Sequence, residues 1–121
     1  MTIDTNILIA YLNDEKVVRA GLDDWKQSNR PLFISSISVA EILALSALGV
    51  QEINQIRGFL QHFISVPFNN EIAELTALVQ RKYHFKLPDA AIAATALLRR
   101  SPLVTRDKQF QRVKELIVVS L

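Results

Sequence analysis

Residues 32–48, LFISSISVAEILALSAL, carry the pattern on which the predicted fold depends. Residues 32–34 form a short apolar run, which is typical of a buried strand. Ser35 and Ser36 follow it and offer hydroxyls that can cap the start of a helix. The next residues are apolar at helical spacing, so we predict a helix that continues through Leu48. This stretch therefore predicts a strand followed directly by a helix.

The same alternation extends in both directions along the chain. Strands are predicted at residues 1–3, 32–34, 64–68, 103–105 and 117–119. Helical segments are predicted at residues 6–12, 17–27, 36–48, 51–62, 70–83 and 88–100, with a short helical stretch starting at Asp107. In the second helix the expected buried positions are Val17, Ala20, Leu22 and Trp25. Strands that alternate with helices predict one α/β domain over residues 1–121, with a mostly parallel sheet.

The composition excludes several kinds of site. The chain of 121 residues has no cysteine, which excludes disulfides and thiolate metal sites. It has only two histidines, so a histidine-rich zinc site is not expected. Any metal chemistry would use carboxylate oxygens, which favour Mg²⁺ or Mn²⁺. We see no signal peptide and no apolar segment long enough to span a bilayer, and we therefore expect a cytoplasmic protein without a membrane partner.

The charges are distributed unevenly along the chain. Residues 1–80 hold five Lys or Arg and nine Asp or Glu, whereas residues 81–121 hold nine Lys or Arg and three Asp or Glu. A basic final third is suited to binding phosphates, although the same charges could simply be solvated helix faces.

Four acidic residues stand at positions where strands end or helices begin. Asp4 ends the first strand, Asp89 lies in the first turn of a helix, and Asp107 follows the strand at residues 103–105. Each of these three could also be an ordinary helix cap or turn residue. Glu41 differs, because its neighbours four residues away on either side are apolar, so we predict that it faces inward. A buried salt bridge to an arginine is the alternative for Glu41.

Together the four acids predict a shared site. The carboxyl ends of parallel strands collect at one edge of a sheet, where ligands usually bind. Four neighbouring carboxylates repel one another, and one or two divalent cations would relieve that repulsion. Such a site can stabilise the charge that develops when a phosphodiester is attacked in line.

Four segments of the chain resemble the PIN-domain nucleases, and most closely the single-domain toxin ribonucleases of bacterial toxin–antitoxin pairs, which are VapC-like. The matching segments are IDTNIL at 3–8, SVAEI at 38–42, LPDAAIAATA at 87–96 and VTRDKQF at 104–110. The resemblance covers essentially the whole chain. It implies a three-layer α/β/α domain with a central five-stranded parallel sheet. It also implies a metal-dependent endoribonuclease that forms a homodimer and is blocked by an antitoxin.

The resemblance also implies roles for individual residues. Asp4, Glu41, Asp89 and Asp107 would be the acidic quartet that holds Mg²⁺ or Mn²⁺, directly or through water. Thr105 and Asn6 match positions that support the site, where a hydroxyl and an amide can orient a carboxylate.

The basic residues beside these acids are candidates for binding RNA. The candidates for phosphate contacts are Lys86, Arg106, Lys108 and Arg112. Tyr83 or Phe85 could stack on an unpaired base, although we expect both to pack in the core instead.

Two alternatives remain at this stage. A catalytically silent PIN-like module that binds RNA or protein would keep the fold without the reaction. A receiver-type signalling domain is also α/β and holds Mg²⁺, but it needs an acidic pair after its first strand, and this chain has the single Asp4 followed by Thr5 and Asn6.

Overall fold

The computed structural model describes residues 1–45 and 49–121 as helices packed around a five-stranded sheet. The strands are β1 (Thr2–Ile3), β2 (Phe33–Ser35), β3 (Ile64–Val66), β4 (Leu103–Val104) and β5 (Val118–Val119). The helices are α1 (Thr5–Leu12), α2 (Lys16–Gln27), α3 (Ser36–Leu43), α4 (Val50–Leu60), α5 (Asn70–Tyr83) and α6 (Leu87–Leu98), and a 3₁₀ helix covers Lys108–Arg112. None of the helices described here is long and apolar enough to cross a membrane.

The sheet has the strand order β3-β2-β1-β4-β5, and every pairing is parallel. β1 lies in the middle, where Thr2 pairs with Phe33 of β2 on one side and with Leu103 of β4 on the other. β2 and β3 thus lie on one side of β1, and β4 and β5 lie on the other side. The change of direction lies between β1 and β4, which is where open parallel sheets usually bind ligands.

Both faces of the sheet are covered by helices. Because successive side chains of a strand point to opposite faces, Leu103 and Val104 of β4 belong to different cores. Val104 packs with apolar residues of α1 to α4, and Leu103 packs with those of α5, α6 and the 3₁₀ helix. The predicted three-layer α/β/α arrangement with a five-stranded parallel sheet is therefore confirmed.

Two helices differ from the sequence prediction. α3 ends at Leu43, where the N–H groups of Ala44 and Leu45 bond back to carbonyls of its last turn, and the predicted end at Leu48 lies outside the described residues. In α2 the side chain of Val17 is 64% exposed and Val18 is buried in its place. Leu22 is buried as predicted and Trp25 packs against the core, but Ala20 is exposed, so the prediction was wrong only for the first part of α2.

Candidate active site

Asp4 and Thr105 are brought together by the pairing of β1 with β4. Ile3 pairs with Val104, and the Asp4 N–H donates to the Val104 carbonyl at 3.0 Å, so the next residue on each strand lies side by side. The Thr105 hydroxyl donates to Asp4 Oδ2 at 2.7 Å and also accepts from the Asp107 N–H at 3.0 Å. Asp4 precedes α1, but its side chain does not cap that helix. Asp4 thus occupies the N-cap position that the cap interpretation gives it, but without a capping hydrogen bond from its side chain.

Asp4 is only 3% exposed, and this burial raises the pKa of its carboxyl. Burial is the main cause, because it disfavours the charged form, and the charges of Asp89 and Asp107 add to the effect. The hydrogen bond from Thr105 acts in the opposite direction. The pKa of Asp4 is raised from 3.8 to about 6, so this carboxylate is costly to ionise in the folded protein.

Asp89 and Asp107 are joined through the side chain of Gln109. The Gln109 Nε2 atom lies 3.0 Å from Asp89 Oδ2 and 2.6 Å from Asp107 Oδ2. Asp89 lies in the first turn of α6, and Asp107 caps the 3₁₀ helix by accepting from the Gln109 N–H at 3.1 Å. Both acids thus also have the helix-end roles that the sequence left open, and both are partly exposed. Asp4, Thr105, Asp107, Gln109 and Asp89 form one continuous hydrogen-bonded chain.

Glu41 is exposed, and the prediction that it faces inward is wrong. The buried face of α3 is formed by Ser38 and Ile42, which turns Glu41 toward the helix edge. Its Oε1 atom lies 2.8 Å from the hydroxyl of Thr5, which also lies 2.8 Å from the hydroxyl of Ser38. Because the carboxylate can only accept, Thr5 donates its single proton to Glu41, and Ser38 can donate to Thr5. Glu41 is thus connected to the residue that follows Asp4 in sequence.

Asn6 and the four basic residues lie on the surface. Arg106 is held by Glu15, whose Oε1 is 3.0 Å from its Nη1, and by the Leu121 carbonyl. Arg112 donates to the Tyr83 carbonyl at 2.9 Å and lies over the ring of Phe85. Lys86 immediately precedes α6, and Lys108 begins the 3₁₀ helix.

The two aromatic residues near Arg112 are buried. Tyr83 and Phe85 pack in the core on the α5 and α6 side of the sheet, and the ring of Phe85 meets the ring of Phe110 edge to face. The expectation that both aromatics belong to the core is confirmed.

The donor atoms around Asp4 suit a hard divalent cation. The carboxylates of Asp89 and Asp107 lie close enough to Asp4 to raise its pKa, and hydroxyl and amide groups orient the three acids. Oxygen donors of this kind fit Mg²⁺ or Mn²⁺. Within residues 1–45 and 49–121, however, no three acidic or histidine side chains already converge as ligands of one ion. The carboxylates would have to move closer together to bind an ion.

Three residues in this network were missed by the sequence reasoning. Thr5, Ser38 and Gln109 all donate or relay hydrogen bonds to the acids. Each lies within three residues of a predicted acid, and each has a short or flexible polar side chain. That proximity was an available signal, but it does not distinguish a residue that faces the acid from one that faces solvent.

Several solved structures that share this fold come from toxin–antitoxin systems. A chain of a "Toxin-antitoxin complex from Klebsiella pneumoniae" is 32% identical, covers 98% of this chain and 94% of its own, and superposes with a TM-score of 0.83. A chain of VapBC-1 from nontypeable Haemophilus influenzae is 25% identical, covering 98% and 96%, with a TM-score of 0.80. A chain of VapBC2 from Rickettsia felis, bound to a DNA fragment from its promoter, shares the fold at 22% identity, covering 99% and 97%, with a TM-score of 0.85.

The sequence has no significant match among curated proteins. A family model does match, and it covers residues 1–116, from β1 to beyond the 3₁₀ helix. All the residues of the network around Asp4 fall within the matched range. Its description is "PIN domain", a nuclease family, which supports a hydrolase that acts on nucleic acid. With this fold and this match over nearly its whole length, the chain belongs to the PIN domain family.

Proposed function

We propose that this chain is a metal-dependent endoribonuclease that hydrolyses RNA phosphodiester bonds, and that it is the toxin of a toxin–antitoxin pair. The observation that carries the proposal is the network that links Asp4, Asp107 and Asp89 through Thr105 and Gln109. The network lies at the carboxyl edge of β1 and β4, at the point where the strand order changes direction. An acidic site in that position of a nuclease family member supports phosphodiester hydrolysis.

PIN nucleases generally use divalent metal ions. In this chain Asp4, Asp89 and Asp107 would hold Mg²⁺ or Mn²⁺, with Glu41 completing the acidic quartet, directly or through water. A bound ion supplies charge stabilisation for the phosphate oxygens and makes a nucleophilic water available at neutral pH. The protein's part is to orient the acids, and the Thr105 hydroxyl does so for Asp4.

The remaining polar residues of the proposed site lie at its surface. Asn6 is exposed in the first turn of α1, two residues after Asp4, where its amide can reach a water molecule or the substrate. Lys86 and Lys108 lie close in sequence to Asp89 and Asp107, and their charges can attract the RNA backbone. We assign RNA phosphate contacts to these two lysines and to Arg112.

Arg106 is the weaker candidate for such a contact. Its guanidinium is already paired with Glu15, so part of its charge is neutralised within the protein. We keep Arg106 in the RNA-binding surface, and expect it to contribute less than Arg112.

The toxin assignment is supported by the relatives. The chain is 32% identical over almost its whole length to a chain of a toxin–antitoxin complex. By that likeness we propose an antitoxin protein as its partner, a homodimer as its own assembly and the cytoplasm as its location. Light scattering of the purified protein tests the homodimer, and purification together with the product of a neighbouring small gene tests the antitoxin.

The decisive experiment is cleavage of a mixed cellular RNA pool with Mg²⁺, with Mn²⁺ and with EDTA. Asp4→Asn should remove the metal-dependent cleavage. Asp14→Asn is the matched control, because Asp14 is an exposed acid that pairs with Arg19. Cleavage that survives Asp4→Asn would contradict the assigned site. Divalent metal binding without cleavage of any RNA would favour a catalytically silent RNA- or protein-binding module.

A growth assay tests the toxin part of the proposal separately. Induced expression of the chain should arrest bacterial growth, and the Asp4→Asn variant should not. Growth arrest that persists in the variant would show that toxicity does not come from this site.

A further inference from the structure

The side chain of Gln109 lies between two carboxylates that would otherwise repel each other. Its Nε2 atom donates to Asp89 Oδ2 at 3.0 Å and to Asp107 Oδ2 at 2.6 Å. Since one atom bonds both oxygens, the two carboxylates lie no farther apart than the sum of these distances. Both partners are carboxylates and can only accept, so the nitrogen end of the amide must face them. The two N–H groups of that end supply the positive partial charge between the acids.

This role is separate from the local turn in which Gln109 lies. Asp107 caps the 3₁₀ helix through its Oδ1 atom, which accepts from the backbone N–H of Gln109. Any residue other than proline provides that backbone donor. The side-chain amide is needed only for the Oδ2 atoms, and it reaches across to α6 to bond Asp89, which is 20 residues away in sequence.

We propose that Gln109 is a positioning residue of the acidic site, which holds Asp89 and Asp107 together without metal and must release them when a divalent cation binds. The inference rests on the proposed function, because it takes these acids to be the metal site. An amide dipole balances part of the repulsion between two carboxylates, whereas a divalent cation balances all of it. The amide and the cation compete for the same two Oδ2 atoms.

The competition predicts the direction in which metal-free stability and ion affinity change when Gln109 is replaced. Without the amide, the metal-free protein keeps two neighbouring carboxylates with no donor between them, and its free energy rises. The metal-bound protein loses little, because the amide has already been displaced there. Replacing Gln109 with an apolar residue of similar shape therefore destabilises the metal-free fold and tightens metal binding. Two hydrogen bonds to carboxylates are lost, and because both acids are partly exposed, water can replace part of that bonding, so the expected change in affinity is roughly tenfold.

The test uses Gln109→Met, with Gln111→Met as the matched control, because Gln111 is exposed in the same 3₁₀ helix. Calorimetric titration with MgCl₂ and MnCl₂ and thermal melts in EDTA are compared for both variants and the unchanged protein. We expect Gln109→Met to lower the metal-free Tm and to bind the ion about tenfold more tightly. Gln111→Met should change neither the metal-free Tm nor the affinity for the ion. Unchanged or weaker ion binding by Gln109→Met would overturn the proposal.

Two further measurements do not depend on cleavage. In ¹⁵N-labelled protein, the side-chain NH₂ signals that disappear in Gln109→Met identify this amide, and Mg²⁺ should move them. Gln109→Lys places a fixed cation between the acids, so it should raise the metal-free Tm and abolish the stabilisation by Mg²⁺. If Mg²⁺ binds without moving the Gln109 side-chain NH₂ signals, the amide and the ion do not compete for the two acids. If the unchanged protein binds no divalent ion, this inference and the proposed metal dependence both fail. If it binds the ion but cleaves no RNA, that result counts against the proposed function alone.

Discussion

Asp4 and Thr105 are 101 residues apart in sequence, and their side chains are joined by a 2.7 Å hydrogen bond across β1 and β4. The Thr105 hydroxyl favours the ionised form of a carboxylate that burial makes costly to ionise. The same oxygen accepts the N–H of Asp107, so it fixes two of the candidate acids at once.

Thr105→Val should therefore destabilise the protein in a pH-dependent manner. At pH 7 we expect a loss of about 2 kcal/mol in the free energy of unfolding, because the donor to a charged group is removed. At pH 4.5, where folded Asp4 is mostly protonated, the loss should be smaller. Urea unfolding at both pH values measures the difference. Thr76→Val is the control, since the buried Thr76 hydroxyl bonds only the Ile72 carbonyl of its own helix. Equal losses at both pH values for Thr105→Val would disprove this account.

Asp4→Asn should stabilise the metal-free protein at neutral pH. The pKa of Asp4 is raised from 3.8 to about 6, so the folded state binds this proton more tightly than the unfolded state. Stability that is present at low pH is therefore lost as the pH rises through about 6. Asp4→Asn has no such charge to bury. Its free energy of unfolding should exceed that of the unchanged protein by up to about 3 kcal/mol above pH 6 and by almost nothing near pH 4.

Denaturation of Asp4→Asn and the unchanged protein across pH 4 to 8, in EDTA, checks this expectation. Asp14→Asn, at an exposed acid away from the candidate site, is the control. A variant less stable than the unchanged protein at pH 7 would show that Asp4 contributes favourably when charged.

Thr5→Val should reduce cleavage and also cost about 1 kcal/mol in stability, because the buried Ser38 hydroxyl loses its partner. The Thr5 hydroxyl is the contact that orients the exposed Glu41 carboxylate. Losing a residue that orients a ligand typically costs about tenfold or more in activity, so we expect kcat to fall by roughly that factor while KM stays the same. Thr5→Ser keeps the hydroxyl and should restore kcat. If Thr5→Ser is as inactive as Thr5→Val, packing of the Thr5 methyl group explains the effect instead.

Arg112→Ala should weaken RNA binding and reduce its salt dependence. Arg112 is held in place by the Tyr83 carbonyl and the ring of Phe85, and loss of one phosphate contact should lower the log–log salt slope by about 1. Arg106→Ala should lower it by less, because Glu15 already neutralises Arg106. Binding of RNA to a cleavage-deficient variant, measured over a range of salt, provides the slopes. Arg99→Ala is the control, as Arg99 follows the opposite end of α6 from Asp89.

Much of the fold could be predicted from the sequence, because hydrophobic periodicity reports local structure directly. The bounds of α5 are those predicted, and Ser35 caps α3 by accepting from the Ile37 N–H. Val17 was wrongly placed in the buried face of α2, since Val17 and Val18 are equally apolar and only the contacts of the folded chain decide which is buried.

The site was predictable only in part, for a related reason. Asp4 and Asp107 could be placed because each ends a strand, and parallel strands share one edge. The orientation of Glu41 was wrong because α3 buries Ser38, which periodicity counts as polar. Gln109 was missed because its importance depends on Asp89, which another helix brings to it.

The central position of β1 also determines when the candidate site can exist. Asp4 is synthesised 101 residues before its partner Thr105, and the bridge at Gln109 follows Thr105. A nascent chain that ends at residue 100 holds Asp4, Glu41 and Asp89, but it has no β4 to align them. Contacts between distant parts of a chain are the slow ones to form in folding. The candidate site can therefore form only after β4 and the 3₁₀ helix have been synthesised and have folded against β1.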